Sequence, residues 1–381
     1  MSGLYLDNAA TTPVRREVLE AMAPFLTSVF GNPSSHHELG DAAARALDDA
    51  RRRVAAVLGM RAGDITFTSG GTEGNNLALK GIAIAAASAR GARHVITTPI
   101  EHESILESAR YLRRVHGFDV DLVPVDETGR VDPAELTALL RDDTAVVSIG
   151  YANNEIGTVQ DAGALAAATR TAGVPLHLDA VQAAGWLPLA GTGADALVIA
   201  GHKLGAPKGT GVAAIRGRVP VEPLLHGGGQ ERGRRSGTEN VAGAVAIATA
   251  LELAEAEREA SAARVAALRD EFVAAALVRL PQARLTGDPV HRLPGTASFT
   301  FAGTSGEAVL LELERRGVVT SSGSACAAGS DEPSHVLLAL GVDPVVAQTS
   351  VRFTFDHHGH IDPQYLANAL TSAVAAVGSA G

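Results

Sequence analysis

The sequence holds one cysteine, Cys326, in 381 residues. No intrachain disulfide can form, and a chain of this kind suits a reducing compartment, so a cytoplasmic protein is expected. No run of residues approaches the length and apolarity of a membrane span. The start, Met-Ser-Gly-Leu-Tyr-Leu-Asp, lacks a basic stretch followed by an apolar one, so no secretion signal is expected. Positive charge is in deficit: the formal net charge is −10. That argues against a general nucleic-acid-binding surface. What is present is an ordinary globular composition, 46% hydrophobic and 19% charged. The length allows a large core and two domains.

One stretch organises the rest. Asp195-Ala-Leu-Val-Ile199 is a short apolar run and reads as a buried strand. It leads directly into Gly201-His202-Lys203 and then a loop rich in small residues. A lysine at the end of a buried strand is partly desolvated, and desolvation favours the neutral amine that attacks an aldehyde. Lys203 therefore reads as the residue that forms a Schiff base with pyridoxal 5'-phosphate (PLP). A surface lysine in a turn is the alternative. Asp179 favours the first reading. It closes a strand in Leu-His-Leu-Asp179, and open α/β sheets bind ligands beyond that end. A carboxylate there can keep a pyridine nitrogen protonated and so make PLP an electron sink.

The surrounding pattern alternates strand and helix. Strands are expected at 64–68, 94–98, 119–123 and 145–149, and helices at 15–30, 39–58, 73–90 and 102–116. This argues for a mostly parallel sheet covered on both faces, in a large domain. Between strand 64–68 and its helix, Ser69-Gly-Gly-Thr72 is a tight turn. Its free N–H groups and the helix dipole would face an anion, with a hydroxyl from Thr72. The turn is not the Gly-x-Gly-x-x-Gly dinucleotide fingerprint, which weakens a Rossmann oxidoreductase reading. Residues 239–280 read as two helices, one closing the large domain and one opening a small α+β domain. The small domain continues with strands at 296–301 and 351–355 and helices at 306–316 and 362–377.

Eight segments, in order, carry a specific resemblance. They are Tyr5–Val14, Phe30–Ser35, Phe67–Glu73, Glu101-His102, Asn153–Asp161, His177–Gln182, Gly227–Thr238 and Ser321–Cys326. With them the chain resembles a cysteine desulfurase of the NifS/IscS type, in the class-V aminotransferase family with PLP fold type I. The resemblance implies a large PLP-binding domain at 16–258. It also implies a small domain, built from 1–15 and 259–381, that carries the cysteine loop.

The same resemblance implies roles for single residues. Lys203, Cys326 and His102 would be catalytic, with His102 stacked on the PLP ring and available to move protons. Gly71, Thr72 and His202 would hold the phosphate, Gln182 the phenolate oxygen, and Asn154 the PLP or the substrate carboxylate. Asp179 would hold the ring nitrogen. Ala9–Thr12 would lie near the substrate carboxylate. Arg352 is the best candidate to grip that carboxylate, since a guanidinium fork binds it through two hydrogen bonds. A structural salt bridge is its alternative. Thr238 would cross a dimer interface to the partner's phosphate, which implies a homodimer.

Cys326 stands among small polar residues, Ser321-Ser-Gly-Ser-Ala-Cys-Ala-Ala-Gly-Ser. That setting reads as an exposed loop and not as core. The Arg-x-Gly-His-His-Cys pattern of the other desulfurase type is not seen. The implied reaction takes sulfur from L-cysteine and leaves alanine and a persulfide on Cys326. A sulfur-acceptor protein would then receive it, such as an iron–sulfur scaffold or a tRNA- or DNA-thiolation protein. Many relatives carry Ser where this chain has Ala200, and PLP binding is still expected. His357, His358 and His360 read as a solvated turn, with no metal expected. The rival readings are a selenocysteine lyase or aminotransferase on the same fold, and a non-catalytic sulfur-relay or scaffold protein.

Overall fold

The computed structural model describes residues 3–323 and 332–378. Cys326 lies outside the described residues. Among those residues there are twelve strands: β1 (Leu4–Tyr5), β2 (Ile65–Thr68), β3 (His94–Thr97), β4 (Asp119–Leu122), β5 (Thr144–Gly150), β6 (Leu176–Asp179), β7 (Ala196–Ala200), β8 (Gly211–Ile215), β9 (Ala283–Leu285), β10 (Thr296–Phe301), β11 (Val318–Val319) and β12 (Val351–Thr354).

Seven of them form the central sheet in the order β2-β8-β7-β6-β5-β3-β4. Pairing is parallel from β7 through β6, β5 and β3 to β4. Only β8 is reversed, pairing antiparallel with both β7 and β2. The interior strands are apolar and buried on both faces, as in Ala-Val-Val-Ser-Ile of β5. Helices must therefore cover both sides, and two apolar clusters do so, one on each face. The fold is α/β with a mostly parallel sheet, as the alternation of elements implied. The reversed strand β8 falls where a small-residue loop was expected to continue.

Helix ends follow their capping residues. His102 accepts the Ser104 N–H and opens the helix Glu103–His116, and Gly117, at φ 67, closes it. The expected helix over 15–30 is broken. Pro24 has no N–H to continue the ladder, so the chain stops at Met22 and restarts as Pro24–Thr27.

The two helices expected over 239–280 are one helix, Val241–Arg279, of 39 residues. After Gly243 it has no glycine or proline to end it. At 1.5 Å per residue it runs roughly 58 Å. Its first third, through Ala254, packs into the large core. Val265, Phe272 and Ala276 pack into the second core. The chain passes from one core to the other by changing the buried face of a single helix.

The second core covers the antiparallel sheet β12-β10-β9. Phe272 meets Phe299 edge-on at 5.7 Å and Phe353 at 5.0 Å. β1 pairs with β11 beside it. This places β12 and the N-terminal arm against the carboxyl ends of the central strands. Among the described residues no helix is long and apolar enough to cross a membrane.

Candidate active site

A cavity of about 380 Å³ opens at the carboxyl ends of β2, β3, β5, β6 and β7. Each strand delivers a residue as it ends. β7 runs into a single turn, Gly201–Lys203. Lys203 Nζ donates to the carbonyls of Ala9 and, at 2.6 Å, Ala10. The N-terminal arm thus holds the ammonium. Gln182 Nε2 also donates to the Ala9 carbonyl, at 3.1 Å.

Asp179, the last residue of β6, is buried. Burial raises its pKa, and the Val181 N–H, the charge of His102, the Asn75 amide and the charge of Lys203 oppose that rise. Val181 N–H donates to Oδ1 at 2.9 Å and Asn75 Nδ2 to Oδ2 at 2.6 Å. His102 lines the cavity after β3. Its Nδ1 accepts the Ser104 N–H at 3.0 Å, so the neutral ring carries its proton on Nε2. His202 is pushed down to about 4, first by burial and then by Lys203 and Lys208. It is neutral at pH 7.

Gly71 and Thr72 open the helix after β2 and line the cavity. A Cβ on Gly71 would stand 2.8 Å from Val181 Cγ2, so only glycine lets the turn approach that wall. Asn154 lines the cavity, and its carbonyl accepts from Arg352 Nη1 at 2.8 Å. Arg352 reaches in from β12. Nη2 pairs with Asp7 Oδ1 at 2.8 Å and Nη1 also reaches the Gly323 carbonyl at 3.3 Å. Its Nε is buried and has no hydrogen-bond partner among the described residues. Thr238 is exposed and does not line the cavity of its own chain. Gly323, three residues before Cys326, does line it.

Asn75, Ser104 and Glu101 line the cavity as well, and the sequence assigned none of them a role. Asn75 donates to both Asp179 and, at 2.9 Å, Ser104 Oγ. Ser104 Oγ is 2.8 Å from His102 Nδ1. Glu101 is buried, and burial lifts its pKa to about 7 against hydrogen bonds from the Gly150 N–H and Thr98. The signal for Asn75 and Ser104 is their helix phase: each sits near a helix start that points at the cavity. Outside it, His357 stacks on Trp186 at 3.6 Å and bonds the Gly185 carbonyl.

The model of the aminotransferase class-V family matches residues 4–362. The chain belongs to that family. It is 45% identical over 353 residues to the cysteine desulfurase IscS of Dictyoglomus turgidum, spanning 92% of this chain and 89% of that one. Among solved structures it superposes on a NifS-like protein with a TM-score of 0.90 at 36% identity, covering 98% and 99% of the two chains. SspA in complex with cysteine matches with a TM-score of 0.81 at 31% identity, covering 94% of this chain and all of the other.

Members of this family depend on PLP. The residues present fit that group. An amine, a glycine turn that a Cβ would fill and a buried carboxylate face one cavity of suitable size for a small cofactor. Among the described residues Asn75 also leaves its buried Oδ1 without a partner there.

Proposed function

We infer that this chain is a cysteine desulfurase, which takes sulfur from L-cysteine, releases L-alanine and holds the sulfur as a persulfide on Cys326. The observation that carries the reading is Lys203 and Asp179 in one cavity. Of the three lysines in the chain, only Lys203 lines it. Bound PLP would supply the electron sink that makes the substrate Cα–H acidic and lets its Cβ–S bond break.

The chain's own groups do the rest. Lys203 would hold the cofactor through its amine, and that amine, when free, would take the α-proton of the substrate. Asp179 would hold the proton on the ring nitrogen, and the Asn75 and Val181 donors favour its ionised form against the burial that raises its pKa. His102, with Nδ1 occupied, offers Nε2 to move a proton near the substrate sulfur. Gly71, Thr72 and the neutral His202 would hold the phosphate, and Gln182 the phenolate oxygen. Asn154 and Arg352, which both line the cavity, take the substrate carboxylate. The Cys326 thiolate attacks the substrate sulfur: the S–S bond forms as the Cβ–S bond breaks, and Cβ takes up a proton to give alanine.

The functional unit is a cytoplasmic homodimer, in which Thr238 of one copy meets the phosphate of the other. Exposed apolar residues favour a second copy: Phe30 is 67% exposed and Leu26 61% exposed. The split into two cores supports a large domain at 16–258 and a small one from 1–15 with 259–381. A sulfur-acceptor protein completes turnover.

The test is release of alanine and sulfide from L-cysteine by the purified holoenzyme, beside Cys326→Ser and Lys203→Ala. Both products from wild type and neither from the variants is the expected result. Full activity in Cys326→Ser would remove the persulfide step and leave a lyase or aminotransferase on this fold.

A further inference from the structure

Among the described residues, two that are not glycine have a left-handed backbone, Glu231 at φ 51 and Arg232 at φ 56. They are adjacent, in the Gly227–Thr238 loop. Such backbone persists only where its surroundings over-determine it, and it marks positions where geometry is being held for a purpose.

The surroundings are a buried ion pair. Glu231 takes Arg51 through both oxygens, at 2.7 and 2.9 Å, and accepts the Phe67 N–H at 3.1 Å. The two side chains are 2% and 6% exposed. Arg51 Nη1 also donates to the Ile65 carbonyl at 2.7 Å, as does Arg232. Ile65 and Phe67 belong to β2, the edge strand of the central sheet. The loop is therefore stapled to the sheet's open edge through groups that a further strand would otherwise use.

β2 is also the strand that ends in the Ser69–Thr72 turn. A second tie follows it. Arg235 of the loop pairs with Glu73 at 2.9 Å, and Glu73 Oε2 holds the Ser69 N–H at 2.8 Å. From these two fixed points the loop turns outward, and Gly237 and Thr238 are exposed. Blocking a sheet edge takes one charged residue and no left-handed backbone. The pair does more than block: it sets the direction in which the loop leaves the sheet.

We propose that Glu231, locked by Arg51, is a positioning residue that places Thr238 at the cofactor phosphate of a second copy of this chain. The proposal rests on the homodimer reading given above. Its readout is the rate of PLP release from the dialysed holoenzyme, followed by loss of bound-cofactor absorbance. Light scattering monitors the dimer and thermal melting the fold. Thr238→Val, Glu231→Gln and Arg51→Lys are compared with wild type, and Thr238→Val is combined with Glu231→Gln. Arg51→Lys keeps the charge and loses the two-pronged grip, so it carries the test if Glu231→Gln does not fold.

Each single variant is expected to speed release about tenfold or more, and the double variant no more than Thr238→Val alone, because both remove one contact. A lower melting temperature with unchanged release, while Thr238→Val still speeds it, would overturn the proposal and leave an edge cap. Effects that multiply in the double variant would overturn it as well. If Thr238→Val itself leaves release unchanged, the crossing-threonine reading fails and this proposal falls with it.

Discussion

Asn75 donates its side-chain amide to Asp179 Oδ2 at 2.6 Å. The second hydrogen of the same amide goes to Ser104 Oγ, which stands beside His102 Nδ1. One small polar chain thus joins the carboxylate proposed for the ring nitrogen to the imidazole proposed for the substrate side. Neither end is free to reorient without disturbing the other.

Asn75→Ala tests that chain. Burial raises the Asp179 pKa, and the Asn75 amide is one of the groups that hold it down. Removing the amide lets it rise further, so less of Asp179 is ionised near neutral pH. A hydrogen bond to a charged group is worth about 1.5–3 kcal/mol. The acid limb of the kcat/KM profile should move up by about one to two pH units, with cofactor still bound. A profile that overlays wild type would show that the Val181 N–H suffices.

Glu101 gives a stability test with a definite sign. Burial lifts its pKa in the folded protein to about 7, above the 4.5 ordinary for a glutamate. Between those values the folded state holds a proton that the unfolded chain has lost, so stability falls as pH rises through this window. Glu101→Gln removes the proton exchange. Its melting temperature should exceed wild type at pH 8 and match it below about pH 4.5, with a difference of up to about 3 kcal/mol at the upper end. A gain that is the same at both pH values would mean that the carboxyl is not the titrating group.

Arg352→Lys separates a substrate contact from a structural pair. Arg352 is already bonded to Asp7, Asn154 and Gly323, which is the geometry of a joint between the N-terminal arm, β12 and the end of β5. A lysine keeps the charge and loses the fork. If the guanidinium also grips cysteine, KM should rise about tenfold or more while kcat changes less. A lower melting temperature with unchanged KM would confine Arg352 to the joint.

These residues also mark where sequence was informative. Lys203 and Asp179 stood out because strand ends aim side chains at one place in an open α/β sheet, whereas His102 was marked by the resemblance alone. Asn75 and Ser104 carry a weaker signal, their position in the first turns of helices that start at the cavity, which alone does not separate a cavity-facing residue from a solvent-facing one. The Glu231–Arg51 pair joins residues 180 apart in the chain, which no local pattern encodes. The long helix departs from expectation for the opposite reason. Two cores were anticipated, and a boundary between them suggested a break, whereas an unbroken run of helix formers needs none.

Ala200 offers a gain-of-affinity test. It closes β7, is 2% exposed and lines the cavity. A Cβ built on Gly71 would lie 3.5 Å from the Ala200 methyl, so that methyl faces the Ser69–Thr72 turn. A serine there would put a hydroxyl at the anion end of the cavity. The added donor is worth about 1–2 kcal/mol, or roughly five- to thirtyfold in PLP Kd. Slower cofactor release from the Ala200→Ser holoenzyme, at unchanged melting temperature of the apoprotein, is the expected outcome. Unchanged release would mean that Thr72 and the neutral His202 already satisfy the phosphate. The alanine would then be a substitution that the turn's other donors had made harmless.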